Sequence, residues 1–329
     1  MIPRPALTQW RQQVPWQTDL QVEQDLLLSV LAIRVAEHHY LGNRLVWRGG
    51  TCLHKLHLAA PWRYSEDLDY VLVDDNPDHG RVADALREVV ADIGMGVHHS
   101  DVTPTRVNVH ADTEATVGGD RIRVKFEVNC ADARPVLDPV HLPHSVTTRW
   151  RTQRADVLTF QAPELIGTKI RALAQRRKGR DLSDMWLARR ELVIDDTDLA
   201  VAGHHYLNHE GIEPAHLRQQ LAAHTTDRDF THDLDLLTTD PYDGFDVVEQ
   251  THQLIRWSDL HLDPLFDERR SASARARRDA LRRRSGAAAG DLQCTIHIVQ
   301  DGGLSRCGEF HAPQGACRQH PPGTPAVME

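Results

Sequence analysis

Cysteine is scarce in this chain. There are five among 329 residues, Cys52, Cys130, Cys294, Cys307 and Cys317. Their number is odd, and their spacing fits neither a zinc ribbon nor a CxxC pair. That excludes a disulfide framework and a cysteine-built zinc site, and the thiols are expected to be reduced, as in a cytoplasmic protein. Long apolar runs are also missing. No stretch of about 18 apolar residues occurs, so no membrane span is expected. The opening MIPRPALTQWRQQVPW has no apolar core of signal-peptide length. Aromatic residues make up only 5%. Surplus positive charge is absent too: the formal net charge of −9 argues against a general, sequence-blind nucleic-acid binder. A nucleic-acid substrate held by a local basic patch stays open. Two such patches exist, one of Arg171, Arg176, Arg177, Lys178 and Arg180, the other over residues 269–284 with eight Arg against two acidic residues or fewer.

What is present is enough for a core. Hydrophobic residues make up 40% of the chain, and the length allows one large domain or two modest ones. Apolar residues recur at helical spacing over 18–41, with Gly42-Asn43 as a left-handed cap. Leu45–Arg48 reads as a short strand, and Thr51 is placed to cap a helix over about 52–59, ended by Pro61. Residues 67–73 alternate as a strand. A helix over 79–93, strands near 101–111 and 121–130 around Gly118-Gly119-Asp120, and a strand pair near 145–149 and 156–160 follow. From Pro163 the pattern turns helical, with helices expected over 163–177, 180–192, 195–209, 213–224 and 245–262. The tail over 285–329 carries little core periodicity and is expected to be mostly disordered. The chain thus divides into a catalytic core over 1–160, a helical part over 161–266 that completes the site, and an Arg-rich segment with its tail over 267–329.

Four features carry chemistry. Gly49-Gly50-Thr51 lies between a strand and a helix, where glycines let backbone N–H groups approach a phosphate; such a turn is also common as plain structure. Asp67 and Asp69 are two apart in a strand and share a face, either as a metal-holding pair or as the solvent-facing edge of a surface strand. Two close carboxylates repel, and a divalent cation relieves the conflict; Mg²⁺ is usually held by one or two carboxylates plus substrate phosphates. Glu127 would complete an acidic triad if its strand lay beside the Asp strand; otherwise it pairs with its neighbour Lys125. Lys169 stands in an apolar stripe with Leu165 and Leu173, where it either snorkels or faces a triphosphate. Asp181 and Asp184 share a helical face and either serve the site or make local pairs, Arg177 with Asp181 and Arg180 with Asp184. The local pairing is the more natural reading for Asp184.

Trp47-Arg48-Gly49-Gly50-Thr51-Cys52-Leu53, then Arg63-Tyr64-Ser65-Glu66-Asp67-Leu68-Asp69, then Lys169 with Arg180-Asp181-Leu182-Ser183-Asp184, in that order, resemble the AbiEii/AbiGii (MenT-like) family of nucleotidyltransferase toxins. The resemblance covers about residues 20–260. It implies an α+β, DNA-polymerase-β-like nucleotidyltransferase fold with a mixed sheet and a helical C-terminal part. It implies an enzyme of a toxin–antitoxin or phage-defence pair that moves a nucleotide from an NTP to an RNA acceptor, the tRNA 3′ end, and so blocks translation. By position, Asp67 and Asp69 would bind Mg²⁺. Gly49, Gly50, Thr51 and Ser65 would contact the nucleotide, Lys169 would hold its phosphates, and Asp181 would support the site. Glu127 as third metal ligand comes from strand alternation. The partners are an NTP, RNA and a cognate antitoxin. Two rivals stand beside this: nucleotidylation or phosphorylation of a protein, and a binding module that keeps only the fold, recognisable by Asp67 and Asp69 buried in Arg salt bridges with no cleft nearby.

Ser65 yields a direct test. A phosphate there would add about −1.5 to −2 charge two residues from Asp67. Ser65→Glu is expected to lose most nucleotidyl transfer in a labelled-NTP assay; full activity would count against the assignment.

Overall fold

The computed structural model describes residues 2–60, 62–131, 134–234, 237 and 244–284, together with short strands at 292–293, 297–300, 303–306 and 310–311. The chain divides into two units, residues 1–266 and 267–329.

The first unit is built on one seven-stranded mixed sheet. Its strands are β1 (Leu45–Arg48), β2 (Asp67–Leu72), β3 (Gly96–Val102), β4 (Arg106–Glu114), β5 (Arg121–Asn129), β6 (Val140–Thr147) and β7 (Thr152–Thr159), in the order β3-β4-β5-β2-β1-β7-β6. β2 runs parallel to β5 and antiparallel to β1, and β7 runs parallel to β1. Alternation gives the sheet its two faces. Val107, Val109 and Ala111 of β4 and Ile122, Val124, Phe126 and Val128 of β5 are buried. Helices α2 (Asp19–Glu37) and α4 (His79–Asp92) pack against these strands. α2 starts in a capping box, Thr18 with Gln21, and is apolar almost all round, as befits a helix inside a core.

Helices α5 (Ala162–Gln175), α6 (Gly179–Glu191), α7 (Asp196–His209) and α8 (Pro214–His224) form the helical part, with the short α9 (Arg228–Thr231) and the long α10 (Val247–Arg284) after them. α5 is its hub, packing on α6, α7 and α8. α5 and α7 approach closely because Gly167 faces Ala202: a Cβ at 167 would lie 2.7 Å from the Ala202 Cβ.

Several elements differ from the sequence reading. α1 (Arg4–Arg11) is a helix not among the elements expected; Ala6, Leu7 and Trp10 bury one side of it, and the Trp10 indole donates to Asp25 at 2.8 Å. α2 stops at Glu37, and Gly42 is no left-handed cap. The turn after the helix presses Gly42 on Ala36, whose carbonyl oxygen would lie 2.2 Å from a Cβ. The strand expected near 101–111 is two strands, because Pro104 offers no N–H to a ladder and Thr103 turns the chain, accepting the Arg106 N–H. The helix after the glycines begins at Gly49, not after Thr51. It runs as α3 (Gly49–Cys52) into a wider π-turn over Leu53–His57. The last helix passes Pro264 and continues to Arg284, where an end near 262 was expected. The disorder expected over 285–329 falls mostly outside the described residues. In the second unit, β8 (Leu292–Gln293) pairs with β11 (Phe310–His311) and β9 (His297–Gln300) with β10 (Gly303–Arg306).

Among the described residues no helix is long and apolar enough to cross a membrane. Cys52 and Cys130 are free thiols.

Candidate active site

The register of three strands assembles the acidic group. Across β1, β2 and β5, Arg48 stands opposite Asp69, and Asp69 stands opposite Glu127; Asp67 stands opposite Lys125. The strand carrying Glu127 is therefore the direct neighbour of the Asp strand. Glu127 takes the Lys125 ammonium, which is the local pairing the sequence offered as the alternative to a triad. Asp67 is exposed and Asp69 is partly buried. The Asp69 carboxyl is pushed up to about 6, first by burial, and further by the charges of Asp67 and Glu127, while Arg48 and Lys169 pull against this. Burial also opposes ionisation of Glu127, but Lys125 outweighs it and holds that carboxyl below its usual range.

Asp69, Glu127, Gly49 and Lys169 line one cleft, with Arg48, Asn129, Thr168, Arg171 and Arg176 among the other walls. It is an open cleft, with about 750 Å³ of empty space counted out into solvent. The two glycines each make room for a side chain. Gly49 has φ +86°, and a Cβ there would lie 2.3 Å from an Asp69 carboxylate oxygen. At Gly50 a Cβ would lie 2.1 Å from the Arg63 guanidinium. Thr51 is buried and donates to Ser65 Oγ at 2.8 Å, so it does not cap the helix. Asp67, Gly50, Thr51 and Ser65 are not among the residues that line the cleft; Asp67 lies at the exposed start of β2, and the other three lie in the segments beside Gly49 and ahead of β2.

Behind the cleft is a buried ionic network. Lys169, 6% exposed, reaches Asp181 Oδ1 at 3.0 Å and Asp184 Oδ2 at 2.9 Å. Arg176 grips Asp181 in a fork at 2.8 and 3.0 Å. Arg63 grips Asp184 likewise at 2.7 and 2.8 Å and also donates to the Tyr64 carbonyl. His54, on the π-turn, accepts the Trp62 N–H at Nδ1, which leaves Nε2–H to donate to Asp184 at 3.2 Å. Burial opposes ionisation of both acids. Lys169 and Arg176 nonetheless hold Asp181 below the usual carboxylate range, and Arg63 and Lys169 hold Asp184 well below it. Burial drives His54 the other way, towards its neutral form.

The local pairing read for Asp181 and Asp184 is therefore corrected. Arg177 pairs with Asp227, and the Arg180 guanidinium lies 4.0 Å from Asp233, which also accepts the Arg180 backbone N–H, while both helix acids turn inward. Asp184 is as deeply buried as Asp181. Sequence reasoning missed the parts played by Arg48, His54, Arg63 and Arg176. Arg48 and Arg63 do lie in the quoted blocks, but the burial that makes Asp184 demand a cation shows only in the structure.

The donor set suits a hard cation. Asp67, Asp69 and Glu127 offer only oxygens, and their mutual repulsion at Asp69 is what a divalent ion would relieve. Among the described residues no three His, Cys, Asp or Glu side chains converge enough to hold an ion alone. Substrate phosphates and water would have to complete the shell, as is usual for Mg²⁺.

The sequence matches the AbiEii family of nucleotidyl transferase toxins, type IV toxin–antitoxin system, over residues 32–251. This chain belongs to that family and is a nucleotidyltransferase. Among solved structures it is similar to MenT4, a nucleotidyltransferase toxin of Mycobacterium tuberculosis H37Rv, with a TM-score of 0.58 and 19% identity over 78% of this chain and 89% of that one. It is also similar to JHP933 of Helicobacter pylori, with a TM-score of 0.44 and 16% identity over 79% of this chain and 99% of that one. No curated protein matches the sequence. The MenT4 likeness shows the nucleotidyltransferase fold, and the expected fold class is the one observed.

Two stability measurements follow. The folded-state pKa of Asp69 lies above its unfolded value of 3.8. The folded protein then binds the extra proton between these values, and stability falls as pH rises through that window and stays lower above about 6. Asp69→Asn should therefore raise the unfolding free energy of the metal-free protein at pH 7.5 by about 1–3 kcal/mol, read as a higher melting temperature, and leave both little changed near pH 4. A lower melting temperature at pH 7.5 would contradict this. Asp184→Leu alone leaves Arg63 and Lys169 short of a buried counter-charge and should cost about 3–5 kcal/mol. In the double variant Arg63→Met/Asp184→Leu, denaturant melts should recover much of that loss; no recovery would show that the pair is not the unit being broken.

Proposed function

We propose that this protein is a Mg²⁺-dependent toxin that transfers a nucleoside monophosphate from an NTP to the 3′ end of an RNA, with tRNA as acceptor and arrest of translation as the consequence. The observation that carries the reading is the meeting of Asp69, Glu127, Gly49 and Lys169 at one cleft. It is supported by membership of a family of toxin nucleotidyltransferases. Such an enzyme acts in the cytoplasm, where its substrates are, and its partner in that setting is a cognate antitoxin.

In this scheme Asp67, Asp69 and Glu127 would hold Mg²⁺, which when bound supplies Lewis-acid polarisation of the phosphoryl oxygens. Lys169 meets phosphate charge with a compact ammonium, kept in orientation by Asp181 and Asp184. Gly49 lets the backbone approach the nucleotide closely, and Gly50, Thr51 and Ser65 shape the wall of the nucleotide site behind it. The acceptor 3′-hydroxyl oxygen bonds to the α-phosphorus, the bond from that phosphorus to the bridging oxygen breaks, pyrophosphate leaves, and the hydroxyl proton passes to solvent. Catalysis of this kind is positioning and electrostatics far more than covalent chemistry. Asp181 is a positioning residue in it, acting through Lys169.

A protein acceptor is the second reading, favoured by the net charge of −9, which repels RNA outside local basic segments. One experiment separates the two. The protein is incubated with each α-labelled NTP, total tRNA and cell extract. Label entering RNA 3′ ends, and lost by at least about a hundredfold in Asp67→Ala, Asp69→Ala and Lys169→Ala, is the expected result. Label in protein alone would establish the second reading. No label from any of the four NTPs, with unchanged toxicity of Asp67→Ala in cells, would end both.

A further inference from the structure

The matched family stops at residue 251, yet α10 runs on to Arg284. The end of that helix has an unusual make-up. Residues 269–284 hold eight Arg, no Lys and a single acid, Asp279, for a formal charge of +7, while the rest of the chain carries −16. Among the described residues, the arginines lining the cleft come from β1, α5 and the residue after α5. The segment is made mainly of Arg and Ala, two of the strongest helix formers, which favours a helix without help from packing.

Its pattern argues against burial on protein or lipid. Leu281 is the single large apolar residue over 269–284. A helix that lies on a membrane needs a continuous apolar face opposite its cations, and this one has none. In the sequence Arg270, Arg277 and Arg284 recur every seven residues, and Arg275, Arg278 and Arg282 recur at spacings of three and four. Arg269, Arg270 and Arg275 are exposed. Like charges three, four and seven apart repel one another. A polyanion that supplies closely spaced negative charge along the same length relieves that repulsion. The arginines span roughly 22 Å of helix, over which a nucleic-acid duplex presents about a dozen phosphates. Guanidinium takes phosphate oxygens in pairs, which ammonium cannot do.

We propose that residues 269–284 of α10 are an RNA-binding arm, gripping the phosphate backbone of the acceptor RNA without reading its bases. The inference rests on the RNA-acceptor reading above and adds how a chain of net charge −9 holds such a substrate. Contacts to phosphate position a nucleic acid and supply most of its salt-dependent affinity.

The test uses the full chain and a variant with Arg270, Arg275, Arg277, Arg278, Arg282 and Arg284 changed to Gln, which keeps helix propensity. Binding of a fluorescein-labelled RNA hairpin is followed by anisotropy between about 50 and 300 mM salt. The variant should bind at least about tenfold more weakly, and its slope of log Kd against log salt should be shallower by about three or more, at roughly 0.9 for each phosphate it no longer neutralises. A variant of Arg270, Arg277 and Arg284 alone should fall between the two. NTP binding and far-ultraviolet dichroism should match the parent in both. Equal affinity and equal slope in parent and variant would overturn the arm. So would parent binding to phosphatidylserine vesicles, or to a polyglutamate peptide of matched charge, as strong as binding to the hairpin. Labelling run in parallel keeps the two claims apart. RNA bound through the arm but never labelled would overturn the acceptor reading and leave the arm. RNA labelled with the same KM by parent and variant would keep the acceptor reading and end the arm.

Discussion

Lys169 is held between two fully buried carboxylates, and the site is organised around that fact. Placing an ammonium and two aspartates out of water is expensive, and replacing such groups with apolar ones often costs nothing in stability. The network is therefore poorly explained as a device for stability. Its geometry makes sense as an anchor. Arg176 closes on Asp181 and Arg63 closes on Asp184, so each acid is saturated and Lys169 is fixed between them at the cleft wall.

The same network ties distant parts of the chain to one another. Arg63 belongs to the segment leading into β2, Asp184 to α6 and His54 to the π-turn after the glycines. Gly50 has no side chain because the Arg63 guanidinium lies against it, and Gly49 has none because the Asp69 carboxylate does. The diglycine so conspicuous in the sequence is thus a pair of slots for side chains from the acidic loop and strand, as well as a place where backbone can approach a phosphate. The widened turn over Leu53–His57 serves the same end, sending His54 to Asp184 and Lys55 to Asp25. A π-turn of this kind often marks a functional site.

Much of the fold is legible in the sequence because it is local. The apolar repeat of α2, the alternation of β2 and β5, and the glycine turn between β4 and β5 each show in a window of a dozen residues. The departures are also local in origin. Pro104 breaks what the alternation presents as one strand into two. Gly42 looks like a left-handed cap, but its role is close approach to Ala36. α1 is only two turns long, but Ala6, Leu7 and Trp10 do fall at helical spacing, in a segment weighed only as a signal peptide. Asp184 misleads for another reason: helical spacing offers it a plausible partner in Arg180, and nothing nearby in the sequence reveals that the true partner, Arg63, lies 121 residues away.

The sequence by itself determined that two aspartates share a strand face, that glycines precede them, and that a lysine sits in an apolar helical stripe, because strand and helix periods fix which residues share a side. Only the tertiary structure decided what meets what. Parallel pairing of β2 with β5 brought Glu127 beside Asp69, and the packing of α6 on α5, which also meets the π-turn after the glycines, turned Lys169, Asp181 and Asp184 into one buried network with Arg63. Strand order and charge pairing across the chain are set by which arrangement buries the most apolar surface while leaving no buried charge alone, and no stretch of sequence contains that comparison.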